Sequence, residues 1–177
     1  MLHSVDILPE GPTSQRAQWL SVLARAPIDL LEAQLGARAQ DPAQWLRAPE
    51  TGLMMVQGRV GGSGEPFNVG EVSVTRCALR LGTRDGDAAM TATATTVGVA
   101  YVVGRSHRRA HLAALADALL QDAGQRALLE PSLLAPARAH QARLNAERRA
   151  RAESTKVDFF TVSREADQSG DDAVDAA

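Results

Sequence analysis

The chain is poor in cysteine, aromatics, positive charge and long apolar runs, and each shortage removes a class of function. Cys77 is the only cysteine, which rules out an internal disulfide, a CxxC redox pair and an iron–sulfur cluster held by this chain alone. Aromatic residues make up 3% of the sequence, so Leu, Val, Ala and Met must fill the core, a composition suited to helices packed on a sheet. With 19 Lys and Arg against 21 Asp and Glu, and a pI near 6.1, the chain lacks the basic excess that phosphate contacts with nucleic acid demand. No apolar run approaches the ~20 residues of a membrane span. The start, MLHSVDILPEGPTSQ, has an acidic residue and a proline where a secretory signal has a basic start and an apolar centre. The expectation is a soluble, non-exported protein of a reducing cytoplasm, with no nucleic-acid or membrane partner.

What is present is enough apolar material for one core. A chain of 177 residues with 45% hydrophobic content buries about 70% of its unfolded surface as one domain. We expect residues 1–164 to form that domain behind a short, loose leader, and the acidic stretch 165–177 to be a disordered tail. Thr13 or Ser14 is a candidate cap for a first helix carrying Trp19, Leu20, Leu23 and Ala24 on one face as far as Pro27. Pro27 then opens a second helix with the stripe Ile28, Leu31 and Leu35, ended by Gly36 or Asp41-Pro42. Trp45 and Leu46 begin an extended run, and Leu53 to Val60 reads as a strand apolar enough to be central.

Val72 and Val74 point one way along the next strand while Cys77, Leu79 and Leu81 point the other, which predicts a bulge near Thr75 or cover on both faces. Thr83 to Thr96 reads as a hairpin tip and Val97 to Val103 as a strand. Ser106 is a candidate cap for a helix from Arg108 to Gln121, ended at Gly124 or Pro131. Pro136 precedes a last helix, Ala137 to Glu153, with a thin stripe of Ala142, Ala146 and Ala150. The predicted fold class is α+β: an N-terminal helical hairpin, a mainly antiparallel sheet and two C-terminal helices.

The segment Glu50 to Leu81, ETGLMMVQGRVGGSGEPFNVGEVSVTRCALRL, carries the chemistry worth weighing. Its glycine-rich connection, Gly61 to Gly70 and above all Gly61, Gly62 and Gly64, either nests an anion with backbone amides or makes a tight hairpin. No lysine followed by Ser or Thr is present, and a strand follows in place of a helix, so the loop is not a nucleotide-binding P-loop. Arg59, Arg76, Arg80 and Arg105 could converge on a polyphosphate or pair with Glu50, Glu65 and Glu71.

His107 and His111 have the i, i+4 spacing of metal ligands, but no third ligand lies nearby, so no metal site is expected. No nucleophile constellation appears. Phe159 and Phe160 lie between charged segments. Burying each contributes about 1.5 to 3 kcal/mol, so they are expected to dock on this chain or in a partner's groove.

These blocks, followed by VGRSHRRAHLAALADALLQ and KVDFFT, resemble the small G subunit family of the bacterial carbon–phosphorus lyase core complex, in order from about Arg16 to Arg164. The resemblance implies a part in transferring the ribose triphosphate moiety of ATP, with magnesium, to an alkylphosphonate, the phosphonate displacing adenine. It also implies partners, namely subunits H, I and J in a two-fold hetero-octamer and the ATPase-like L protein, and no cofactor bound by this chain alone. Family positions matched here include Glu50, Thr51, Arg59, Gly61, Gly62, Gly64, Thr75, Arg76, Gly104, Arg105, His111, Asp117, Phe159 and Phe160. No catalytic role attaches to any of them. On this reading Arg59, Arg76 and Arg105 are candidate polyphosphate contacts, and Phe159 and Phe160 candidate partner contacts. The stretch 84–97 is longer and richer in Ala and Thr than the family's short turn.

Overall fold

The computed structural model describes residues 12–40, 43–81 and 96–157. Helices α1 (Pro12–Leu23) and α2 (Ile28–Leu35) come first, and strands β1 (Ala43–Arg59), β2 (Pro66–Leu81) and β3 (Thr96–Val103) follow. Helices α3 (His107–Leu120), α4 (Ala123–Leu129) and α5 (Ala135–Glu153) complete the order. The α+β class expected from the sequence is the one observed. The two later helices are present, with the short α4 between them.

Helix α3 is the axis of the core. Ser106 caps it, its hydroxyl accepting from the Arg109 amide at 3.2 Å, which supplies one of the amide partners that a helix start lacks. From Leu112 to Leu120 every residue is buried. One side lies on β2 and β3, and α1, α2 and α4 cover the rest. Five alanines between Ala110 and Ala118 let the helix approach the sheet closely. At Gly98 an added Cβ would stand 1.9 Å from the Ala114 carbonyl oxygen, so glycine is required there by contact.

The sheet is an antiparallel meander in the order β1-β2-β3. Thr75, Cys77 and Leu79 of β2 face α3, and Arg76 and Arg80 lie exposed on the opposite face. Several sequence expectations are corrected here. Leu53 to Val60 is not central: Leu53 to Arg59 belongs to the 17-residue edge strand β1, exposed almost throughout although α3 reaches it at Trp45 and Thr51, and Val60 opens the turn that follows. There is no bulge at Thr75, since β2 and β3 pair without interruption; the register shifts lie between β1 and β2, at Trp45/Arg47, Arg47/Glu50 and Val56/Gln57. Adjacent Val74 and Thr75 are both buried, so β2 is covered on both faces at that point.

The first helix starts at Pro12, leaving Thr13 and Ser14 inside its first turn. The third ends at Leu120, before Gly124, because Asp122 caps α4 by accepting from the Gln125 amide at 2.8 Å. In α5, Ala142, Ala146 and Ala150 are exposed; Ala137, Gln141 and Leu144 are the more covered positions. Pro131 lies within a π-helical segment, Glu130–Leu134, that buries Leu133 and Leu134. The stretch 82–95, most of the expected hairpin tip, lies outside the described residues.

Candidate functional site

Beyond Val74, β2 loses its third strand, and β1 and β2 run on as a two-stranded ribbon, Leu53 paired with Ser73 and Arg59 with Pro66. Seven residues at about 3.3 Å each make it roughly 23 Å long. Large apolar side chains occupy both of its faces. Leu53 is 68% exposed, Val69 62% and Phe67 48%, and Met54, Met55 and Val56 are exposed as well. Strand parity puts Leu53 and Met55 on one face and Met54 and Val56 on the other. An isolated hairpin is marginal in water, and an apolar patch of this kind marks a contact surface.

The glycine segment closes the ribbon's tip. Gly61 and Gly62 adopt φ of 60° and 81°, the left-handed region that glycine enters without strain. The Gly64 amide donates to the Val60 carbonyl at 2.9 Å, and Arg59 donates to the Gly64 carbonyl at 3.0 Å. The actual connection is therefore shorter than Gly61 to Gly70, since β2 already begins at Pro66. Two of its amides, those of Ser63 and Gly64, are committed to the Val60 carbonyl of the turn itself.

At the ribbon's base Arg76 meets a carboxylate, while Arg105 and Arg80 meet neutral groups. Glu50 accepts from Arg47 at 2.6 Å and Arg76 at 2.8 Å, and these bonds hold its carboxyl below the usual carboxylate range. Arg105 donates to the Ser73 hydroxyl at 3.4 Å, and Arg80 reaches Gln44 at 3.5 Å. Arg76 and Arg105 engage β2 three residues apart and on opposite faces, since Ser73 has the strand parity of Thr75 and Cys77, which face α3. Arg59 does not join them within one chain. Its partner Pro66 is ten residues from Arg76 along β2, about 33 Å of extended chain.

A directed chain of hydrogen bonds runs beside this arginine group. Gly104, with φ of 104°, turns β3 into α3, and its carbonyl accepts from the Thr75 hydroxyl at 2.7 Å. Thr75 has thereby spent its single proton, so Thr51, 2.9 Å away, donates to it. Thr51 has then spent its own, so His107 Nε2, at 3.2 Å, must carry hydrogen. The relay assigns the histidine's Nε2–H form without reference to its other ring nitrogen.

His111, the second histidine of the i, i+4 pair, packs its ring 4.8 Å from Trp45, and burial lowers its pKa, with the Arg108 charge adding to the effect. The two imidazoles have separate neighbours. Among the described residues no group of three or more His, Cys, Asp or Glu could hold a metal ion, and no helix is long and apolar enough to cross a membrane. Phe159 and Phe160 lie outside the described residues.

Two features escaped sequence reasoning. Asp117 is fully buried and accepts from Arg16 Nε at 3.2 Å and Nη2 at 2.7 Å, from Trp19 Nε1 at 2.9 Å and from the Val99 amide at 2.9 Å. It joins α1, β3 and α3 at one carboxylate. Arg109 donates from Nη2 to the Ala24 carbonyl at 3.2 Å, while its Nε is buried without a partner and burial lowers its pKa. In sequence, an acid within an alanine helix signals the first; nothing separates Arg109 from its neighbour Arg108, which pairs with Glu32.

By architecture this is an α+β chain whose described surface offers a projecting apolar ribbon with arginines at its tip and base. The chain belongs to the family of phosphonate metabolism protein PhnG, whose model matches residues 14–165. It is 38% identical over 168 residues to the alpha-D-ribose 1-methylphosphonate 5-triphosphate synthase subunit PhnG of Rhizobium meliloti (strain 1021), an alignment covering 93% of this chain and 98% of that relative.

Proposed function

We propose that the chain is the G subunit of a cytoplasmic carbon–phosphorus lyase core and acts in the ATP-dependent synthesis of ribose 1-methylphosphonate 5-triphosphate mainly by building the assembly. Its neighbours on this reading are subunits H, I and J, in a two-fold hetero-octamer, and the ATPase-like L protein. ATP with magnesium is the substrate of the complex and not a resident of this chain. The observation that carries the reading is the ribbon: apolar residues on both faces favour a partner that encloses it, and a free monomer leaves that surface in water. Phe159 and Phe160 are proposed as further partner contacts.

The test is coexpression with the other subunits. Leu53→Ser with Met55→Ser on one face, and Met54→Ser with Val56→Ser on the other, are each expected to lower copurification at least about tenfold, since losing about 1.4 kcal/mol of contact suffices. Product formation from ATP and methylphosphonate falls in proportion. Undiminished assembly in both double variants sinks the scaffold reading.

A second reading gives Arg76 and Arg105 a direct triphosphate contact. It is supported by Arg105, whose polar contact among the described residues is a 3.4 Å bond to Ser73. In that reading Arg59, with Gly61, Gly62 and Gly64, serves a separate position at the tip. If Arg105→Ala and Arg76→Ala raise the KM for ATP in a complex that assembles normally, the direct role holds; an unchanged KM removes it.

A further inference from the structure

Strand β3 leaves one edge of the sheet open, and half of that edge is already closed. The Val97 carbonyl accepts from Arg16 at 3.0 Å and Gln121 at 2.8 Å, and the Val99 amide donates to Asp117 at 2.9 Å. These bonds show that 97 and 99 turn their backbone groups away from β2. In an antiparallel pair the direction alternates, so Tyr101 presents its N–H and C=O on the same open edge, and no described residue bonds them.

Beside Tyr101 lies an apolar groove of about 150 Å³, with Leu20, Leu23 and Ala24 on the α1 side, Val99 to Tyr101 on the strand side and Ala113 at its base. The Arg16–Asp117 pair bonds the strand backbone at Val97 and Val99. Arg109 donates to the carbonyl of Ala24, which lines the groove, and its buried Nε is unpartnered. No described carboxylate pairs with it.

We propose that this edge is a strand-addition site, in which an extended segment of a partner subunit lies along β3, exchanges backbone hydrogen bonds with Tyr101 and sets a carboxylate against Arg109. Main-chain bonding at an open edge gives affinity and the flanking groove gives selectivity. The small groove side chains, Ala24, Ala100 and Ala113, suit a modest apolar residue flanked by Asp or Glu. The occupant is a different chain and not a second copy. A β3-to-β3 pairing brings only the stretch Thr96–Val103 to the groove, which holds no acid to meet Arg109. The inference rests on the hetero-assembly proposed above but on a different surface from the ribbon.

Amide hydrogen exchange at Tyr101 tests it, in the isolated full-length chain and in the coexpressed complex. Assembly is expected to slow that amide at least about tenfold. Tyr101→Pro removes the donor at an edge position that tolerates proline, and Arg109→Gln removes the charge. Each is expected to lower copurification about tenfold, with the far-UV circular dichroism of the isolated Arg109→Gln chain unchanged.

A Tyr101 amide already slow in the isolated chain would overturn the proposal, because the chain itself or a second copy would then fill the groove. Normal assembly of Arg109→Gln and Tyr101→Pro, alongside failure of the ribbon variants, sinks strand addition and leaves the scaffold reading standing. Failure of the unaltered chain to assemble sinks both.

Discussion

Asp117 shows how one side chain can set the arrangement of three elements. Its carboxylate takes four donors while carrying no exposed surface, which offsets the cost of burying its charge. Asp117→Ala leaves Arg16, the Trp19 indole and the Val99 amide without their acceptor. A loss of about 3 to 5 kcal/mol is expected for breaking such a pair from one side, measured by urea denaturation.

His111 works in the opposite sense. Because burial lowers its folded pKa from 6.5, the unfolded chain takes up the proton first as pH falls, so stability declines below about pH 6.5 and levels off under the folded pKa. His111→Phe, which preserves a ring against Trp45, is expected to flatten this decline when urea midpoints are compared at about pH 7.5 and about pH 5.5. Cys77 takes no part in that range. Its buried thiol donates to the Ala110 carbonyl at 3.2 Å, and its pKa is pushed up to about 11.

At the level of elements, the contact between β3 and α3 is the tightest. With Ala114 oxygen 1.9 Å from where a Cβ would stand, Gly98→Ala must move the helix or the strand. Overpacking of this kind costs about 3 kcal/mol or more, and a thermal melt of the variant reads it directly. The helix side of this contact was legible: Ser106 stands at the cap, and leucines recur at helical spacing behind it.

Other elements were less so, for physical reasons. Asp122 and Gln125 form a capped start that a glycine two residues after the cap disguises, so α4 reads as a helix end. The run Leu53 to Val60 is as apolar as a buried strand, and hydrophobicity alone cannot tell a strand hidden in its own chain from one left for another. The missing neighbour, not the residue pattern, makes β1 an edge.

For the whole molecule, the same ambiguity decides how much of the candidate site could be read. The arginines were visible as residue types, but their placement depends on register: Arg76 and Ser73, the partner of Arg105, lie on opposite faces of β2, and Arg59 is carried away because the hairpin is long. Arg109 was hidden because its character comes from α1 folding over it. Motif order along the chain carried the family, which needs no register to be recognised.

The ribbon also has a bearing on supply. A polypeptide made in excess of whatever enfolds its greasy arm would keep that arm in water, where folding helpers and proteases seek such surfaces. Its abundance would then follow that of its companions, with surplus copies removed and no separate device needed to keep the count even.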